Sequence, residues 1–136
     1  MIVTTEAIVL RARKQGETSK IVTLYTREFG KLNVIAKGAR EMKSKFGGAL
    51  EMFAHSTVVI YKREKQDALN LLSKAETVDS NAGIVRSLKK MEAAMAVVEL
   101  MLHAMHDEEA NTALFELLAG TFRNFARSEE ITAQLL

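Results

Sequence analysis

Five stretches in the first part of the chain have the alternating or β-branched apolar pattern of strands. They cover residues 2–12, 19–26, 32–37, 52–62 and 68–78, and the connection at 27–31 contains Gly30, which favours a hairpin. Residues 38–48 hold three glycines without any periodicity and predict a long loop. Five strands with one long loop are typical of a small closed barrel, because closing the sheet leaves no exposed edge.

Beyond Asp79 the apolar residues recur every three or four positions, which predicts a helix. Asp79, Ser80 or Asn81 can cap its start, and the acidic cluster at 107–109 is expected to end it. The stripe that we expect to be buried consists of Ile84, Leu88, Met91, Met95, Val98, Leu102 and Met105. Such a stripe also occurs in coiled coils, but it is short here and rich in Met and Ala, which favours packing against the barrel or a helical partner.

A second helix is predicted after Asn111, whose side chain can cap it, with a buried face of Leu114, Leu118, Phe122 and Phe125. Residues 128–136 look like one more helix start that stops abruptly. We therefore expect a fragment cut inside a helical domain, in which three residues fray or self-associate: Ile131, Leu135 and Leu136. The predicted fold class is α+β, with a five-stranded barrel at residues 1–80 and an incomplete α-helical domain at 81–136.

Charge is distributed unevenly along the chain, and this is more informative than the formal net charge of +2. Residues 1–82 carry 14 Lys/Arg against 9 Asp/Glu, whereas residues 83–136 carry 5 against 8. The first part is therefore the expected partner of polyanions. The chain has no cysteine, no long apolar run and no signal-peptide pattern, so we expect a cytoplasmic, nucleoid-associated protein with no disulfide and no membrane partner.

Catalytic motifs are absent from the sequence. It contains neither a Walker-type phosphate loop nor the H-E-x-x-H zinc pattern. Glu99, His103 and His106 lie at i, i+4 and i+7 on the first predicted helix, where a metal would in principle bridge them, but a polar helix flank is the favoured reading. His55 is expected to be a half-buried sheet residue. We therefore predict no enzyme, no metal and no cofactor.

The strongest functional signal is a cluster of cations near the long loop, opposed only by Glu41: Lys31, Lys37, Arg40, Lys43 and Lys45. A second group surrounds the first turn: Arg11, Arg13, Lys14 and Lys20. Cations in such runs displace counterions from nucleic-acid phosphates. Phe46 lies inside the basic loop with Phe29 and Tyr25 near it in sequence, as expected for a binder that stacks bases on aromatic rings. A solvated charged face and core positions for the aromatic rings are the alternative.

Three ordered motifs resemble a known family. They are G-E-T-S-K-I-V-T-L-Y-T-R-E-F-G-K at residues 16–31, A-K-G-A-R at 36–40 and G-G-A-L-E-M-F at 47–53. Together they are similar to the N-terminal region of RecO, a family of bacterial recombination mediators in DNA repair. Two departures stand out: Met52 replaces a proline that is common in the family, and family members are nearly twice as long as this chain.

The resemblance implies an N-terminal OB-fold that binds single- and double-stranded DNA, anneals complementary strands and helps to load the recombinase. RecR is an implied partner. Binding of the tail of the single-strand binding protein is attributed to the helical domain of the family, so we do not expect this chain alone to bind that tail. Lys37 and Arg40 of A-K-G-A-R are the best-matched DNA contacts. The full predicted set is Lys37, Arg40, Lys43, Lys45, Lys31, Arg11, Arg13, Lys14 and Phe46. The alternative is a module that docks RecR or another acidic partner through the same basic face.

Overall fold

The computed structural model describes residues 1–65, 68–106 and 108–129. Within these ranges the elements are β1 (Ile2–Gln15), β2 (Ser19–Thr26), β3 (Gly30–Ala36), β4 (His55–Tyr61), β5 (Asn70–Asp79), α1 (Leu88–Ala104) and α2 (Thr112–Arg127). The strands form a closed barrel in the order β1-β2-β3-β5-β4, in which β3 and β5 pair in parallel and the other pairs are antiparallel. This confirms the predicted α+β class with a five-stranded OB-type barrel.

The first apolar core fills the barrel and follows from the alternation of the strands. In β3, for example, Leu32 and Val34 are buried, whereas Asn33 and Ile35 between and beyond them are only partly covered. The long connection from β3 to β4 contains no helix, and its turns contribute further side chains to this core: Phe46, Ala49, Leu50 and Ala54. Ser56 donates a hydrogen bond from its hydroxyl to the carbonyl of Ala49 at 2.8 Å, which fixes this connection against β4.

A second apolar core lies between the outside of the barrel and the two helices. The barrel contributes Ile8, Leu10, Tyr25 and Phe53, and the helices contribute Val98, Met101, Phe115, Leu118 and Phe122 among others. The rings of Phe53 and Phe122 meet edge to face with centroids 5.4 Å apart. The helices therefore pack on the barrel, as the sequence predicted in preference to a coiled coil.

Two predicted strand boundaries are wrong by three residues, each for a local reason. β1 extends to Gln15, because Gly16 adopts φ +62° and closes a tight turn directly onto Ser19 of β2. β4 begins at His55 instead of residue 52, because Phe53 has φ +70°, which a strand cannot accommodate. β3 and β5 are displaced by one or two residues from their predicted ranges.

The predicted stripe of the first helix is correct in part: Val98 is buried, and Met91, Leu102 and Met105 pack against the second core. The fully buried face of α1 nevertheless differs from it. Its buried residues are Lys90, Ala94, Val98 and Met101, whereas Leu88 is 74% exposed and Met95 is 37% exposed. Ile84 is buried but precedes the helix. Lys90 is buried because its ammonium donates to the carbonyl of Ser128 at the end of α2. A hydrophobic pattern cannot detect a buried lysine or a small alanine, so the prediction is rotated toward the larger residues.

The predicted caps are wrong for α1 and correct for α2. Ser87 caps α1 and accepts from the backbone N–H of Lys90 at 3.3 Å, whereas Asn81 has φ +52° and donates to the carbonyl of Phe53 at 2.8 Å. Asn111 caps α2 as predicted, accepting from the N–H of Leu114 at 2.9 Å. The buried face of α2 is Phe115, Leu118, Ala119 and Phe122, with Leu114 and Phe125 partly buried.

Two predictions fall on positions that lie outside the described residues. They are the fraying of Ile131, Leu135 and Leu136 and the role of Asp107 in ending the first helix. The helix itself ends earlier, at Ala104. In the part of the chain that the structure describes, no helix is long and apolar enough to cross a membrane.

A polar network ties β1, β4 and the turn between β2 and β3 to α2. The Glu6 carboxylate accepts from the Arg27 guanidinium at 2.9 Å and lies 2.8 Å from Nε2 of His55. Arg27 also pairs with Glu116 on α2 and lies over the Phe115 ring, 4.7 Å from its centroid. Burial alone would raise the pKa of Glu6, but the hydrogen bonds from His55 and Arg27 outweigh it and lower that pKa.

The lowered pKa of Glu6 predicts a pH-dependent contribution to stability. A carboxyl group whose pKa is lower in the folded than in the unfolded chain stabilises the fold above its ordinary pKa of 4.5 and loses this effect as the pH falls through the folded value. We therefore expect Glu6→Gln to be less stable than the wild type at pH 7, with the difference shrinking below about pH 4.5. Urea unfolding at several pH values measures it. A difference that stays constant down to pH 3 would contradict the network.

Gly30 lies where the backbone after α1 approaches the β2–β3 turn. It has φ +70°, and a Cβ built there would lie 2.5 Å from the carbonyl oxygen of Glu109. Gly30→Ala should lose about 1 kcal/mol for the left-handed conformation and a further ~1–3 kcal/mol because the 108–110 segment must move. Gly47→Ala is the control, since Gly47 also has positive φ but nothing lies within 4 Å of its added Cβ. Equal losses in thermal unfolding of the two variants would show that the close approach is unimportant.

Candidate nucleic-acid interface

The helices cover only part of the outer surface of β1 and β2, and a β-bulge marks where the cover ends. The register of β1 against β2 shifts between Val9 and Arg11. Leu10, the unpaired residue at the shift, is buried under the helices. After it, Arg11 and Arg13 are exposed and point outward, because Ala12 between them packs on the barrel core. The bulge thus brings two cations to the open part of the surface.

Two adjoining depressions form what we call the basic cleft. The first has a volume of about 250 Å³ and is lined by Arg11, Arg13, Ile21, Thr23, Asn33 and Leu69. The second has a volume of about 450 Å³ and is lined by Ile35, Lys37, Arg63, Ala68, Leu69 and Leu71. Leu69 borders both depressions, so they form one open depression across β1, β2, β3 and the segment before β5. Its lining combines aliphatic and polar side chains with four cations, which are Arg11, Arg13, Lys37 and Arg63.

Polar contacts fix the strands and the segment that line the basic cleft. Thr23 donates from its hydroxyl to Oδ1 of Asn33 at 2.7 Å, an arrangement that turns the amide nitrogen of Asn33 away from Thr23. The buried side chain of Asn70 accepts from the backbone N–H of Arg63 at 2.8 Å and donates to the carbonyl of Asn33 at 3.2 Å. Asn70 therefore holds the segment that carries Arg63 against β3.

Lys31 lies at the junction between the barrel and α1. It lines a further depression of about 250 Å³ with Arg11 and His103, next to the basic cleft. Its ammonium donates to the carbonyl of Leu102 in the last turn of α1 at 3.0 Å, a favourable place for a cation. Its own carbonyl accepts from the N–H of Glu108 at 3.0 Å. Lys31 thus fixes the end of α1 against the barrel, next to the basic cleft.

Arg40, a predicted DNA contact, makes structural hydrogen bonds. Its guanidinium donates to the carbonyls of Gly16 and Ser19, the latter at 3.1 Å, and its backbone N–H donates to the carbonyl of Thr18 at 2.8 Å. The three carbonyls belong to the turn between β1 and β2. Arg40 therefore fastens this turn to the long loop, a role that a charge pattern alone does not reveal.

The remaining loop residues do not join the basic cleft. Lys43 and Lys45 are exposed, but Lys45 lies beside a different depression together with Lys74 and Glu76 of β5. The expectation that Phe46 stacks on bases is wrong, because its side chain is only 3% exposed and belongs to the barrel core. Lys14 is exposed near the β1–β2 turn, opposite Lys20.

The other two rings considered for stacking are also packed. Tyr25 is fully buried between barrel and helices, 6.3 Å from the ring of Phe115, and burial, followed by the charge of Glu109, raises its pKa. Phe29 packs against the barrel core. Sequence reasoning missed the residues that do shape the cleft, namely Ile21, Thr23, Asn33, Ile35, Arg63, Leu69 and Leu71. The period-2 alternation of β2 and β3 was the signal for several of them.

The histidines do not assemble a metal site in the described structure. His106 lies beyond the end of α1, so it does not share the helical face of Glu99 and His103. Within residues 1–65, 68–106 and 108–129, no three His, Cys, Asp or Glu side chains come together as a group that would hold a metal. His55 is buried at the start of β4, deeper than the predicted half-buried position.

Comparison with known proteins agrees with this architecture. The family model described as "Recombination protein O N terminal" matches residues 1–81, which include every strand of the barrel. The chain belongs to the RecO family. A DNA repair protein RecO from Salinibacter ruber is 42% identical over 134 residues, covering 98% of this chain and 51% of that protein.

More distant RecO relatives match over a similar length. The DNA repair protein RecO from Chloroherpeton thalassium is 36% identical and covers 97% of this chain, and the one from Streptomyces coelicolor is 34% identical and covers 96%. These matches cover 51% and 55% of the two relatives. The chain therefore spans about half the length of the RecO proteins that it resembles.

The contacts of Arg40 predict that its shape matters more than its charge. Arg40→Lys keeps the charge but replaces two separate donor nitrogens, Nε and Nη2, by a single one, so we expect a loss of about 1–2 kcal/mol in the free energy of unfolding. Lys43→Ala is the control, because Lys43 is exposed in the same loop, and its effect should stay within about 0.5 kcal/mol. Urea unfolding compares the two variants. Equal, small effects would contradict the structural role of Arg40.

Proposed function

We propose that this chain is the DNA-binding part of a RecO-type recombination mediator and binds DNA in the basic cleft. Its membership of the RecO family and the names of its relatives, which are DNA repair proteins, support a role in DNA repair. The observation that carries the proposal is the pair Arg11 and Arg13, directed by the bulge into an open cleft that also contains Lys37 and Arg63. The function is binding, and none of its steps needs a catalytic residue.

The chemistry of the cleft suits a nucleic-acid strand. Four cations line the cleft together with aliphatic side chains, so phosphates would meet the arginine and lysine side chains while the less polar sugars and bases lie on Ile21, Ile35 and Leu71. The outer face of the second and third strands is where OB-folds bind oligonucleotides. The proposal also includes annealing of strands, assistance in recombinase loading and contact with RecR. These three activities are supported only by membership of the family.

A salt titration with two pairs of substitutions tests the cleft. The dissociation constant of a labelled single-stranded oligonucleotide is measured by fluorescence anisotropy at increasing NaCl concentration. In Arg11→Ala/Arg13→Ala the negative slope of log affinity against log salt should become shallower by about 1.4, because each phosphate contact on a single strand contributes about 0.7 to its magnitude. Arg40 is left unchanged, since its loss would disturb the β1–β2 turn.

The matched control removes two cations elsewhere. Arg86 and Lys89 are exposed around the start of α1, so Arg86→Ala/Lys89→Ala changes the net charge equally but should leave the slope as in the wild type. Equal effects of both pairs would mean that only net charge matters and that the cleft is not the site. A chain that binds RecR but no oligonucleotide would favour the protein-docking alternative.

A further inference from the structure

A continuous row of outward side chains runs around the barrel, in which each residue is paired with the next one on the neighbouring strand. The register pairs Arg13 with Ile21, Ile21 with Ile35, Ile35 with Leu71, Leu71 with Tyr61, and Tyr61 with Ile2. Residues paired in this way lie side by side on the same face of a sheet. The row therefore starts at a cation of the basic cleft and continues through apolar residues to the far side of the barrel.

The alternation of each strand shows that this row faces outward. The sequence neighbours Val22, Val34, Leu72 and Ile60 are buried in the barrel core, so the adjacent residues of the row must point away from it. Ile21, Ile35 and Leu71 are half-buried and line the basic cleft. Tyr61 and Ile2 lie beyond the cleft and are 47% and 59% exposed.

Tyr61 differs from every other aromatic residue of the chain. All eight aromatic residues lie within the described ranges, and of these Tyr61 alone is exposed, whereas the others are buried or partly buried. It is directly opposite Leu71, which lines the basic cleft, so the two backbones lie about 5 Å apart. An exposed ring at the edge of a cationic cleft is the arrangement that single-strand binders use to stack bases.

Charge around the row favours a nucleic acid over an apolar partner. Arg13 lies at one end of the row, and Lys37 and Arg63 border the depression that Ile35 and Leu71 line. No acidic side chain lines either part of the basic cleft among the described residues. A polyanion with flat apolar groups complements such a surface: phosphates meet the cations, and base faces meet the row.

We propose that a single-stranded nucleic acid leaves the basic cleft across Leu71 and that one of its bases stacks on the ring of Tyr61. This rests on the proposed DNA binding in the cleft and adds the strand's path and class. Duplex DNA is disfavoured at this position, because its base faces are stacked inside the helix and only its phosphates and groove edges are accessible.

A tryptophan introduced at position 61 reports the contact directly. The chain has no tryptophan, so Tyr61→Trp carries a single indole, whose fluorescence should be quenched when a base stacks on it. A single-stranded oligonucleotide should quench it at saturation, and a duplex of the same sequence should not. The control is Val78→Trp, at an equally exposed position of β5 (54%) seven residues beyond Leu71, or about 23 Å along the strand. Its fluorescence should not change.

Two further variants separate stacking from simple apolar contact. Tyr61→Phe keeps the ring and should bind the single strand as the wild type does. Tyr61→Leu keeps an apolar side chain without the ring and should bind about five- to a hundredfold more weakly, the range expected for one stacked base. Both are conservative at an exposed strand position, and their unfolding curves verify the fold.

The outcomes distinguish this inference from the proposed function. The expected reduction of the salt slope in Arg11→Ala/Arg13→Ala, together with unchanged binding by Tyr61→Leu and no quenching in Tyr61→Trp, would overturn the stacking site and leave the cleft intact. Equal quenching by duplex and single strand would also overturn it, as would a change in oligomeric state of Tyr61→Leu without a change in affinity. A wild-type chain that binds no oligonucleotide would refute both proposals.

Discussion

Leu10 and Arg11 are neighbours in β1, yet the first is buried beneath the helices and the second is exposed in the cleft. In a regular strand, Arg11 and Arg13 would follow Val9 toward the barrel interior, where an unpaired guanidinium is strongly unfavourable. The bulge between Val9 and Arg11 shifts the alternation by one residue, so that Ala12 packs on the core and the two arginines face outward. The division of the outer surface into a helix-covered part and an open part depends on this one irregularity.

The covered part has its own requirements. Without α1 and α2 the barrel would expose a large apolar patch made of Ile8, Leu10, Tyr25 and Phe53. The helices are therefore needed to cover the outer surface of the barrel. Polar contacts then fix the position of the helices: Lys31 holds the end of α1, and Arg27 bridges Glu6 and Glu116. Because Arg11, Lys31 and His103 line one depression, the placement of α1 also shapes the neighbourhood of the cleft.

The sequence was sufficient to predict the barrel, the two helices and the basic character of the N-terminal region. It was not sufficient for features that depend on three-dimensional partners. Lys90 is buried through a carbonyl that is distant in sequence, and Arg40 is used by the β1–β2 turn. Phe46 looked exposed because it lies in a polar, glycine-rich loop, but the barrel needs an apolar side chain there. In each case the local composition suggested an exposed side chain, whereas tertiary contacts bury or engage it.

The same reason explains why a run of cations was an incomplete guide to the site. On a closed barrel, residues close in sequence diverge to different faces, as Lys37 and Lys45 do, whereas strand pairing brings distant residues together, as it does for Ile35, Leu71 and Tyr61. A closed barrel has no free edge strand, so outward apolar side chains do not create a template for strand addition. The barrel can therefore carry an apolar row on its outer face, and the cations beside that row favour a charged ligand over self-association.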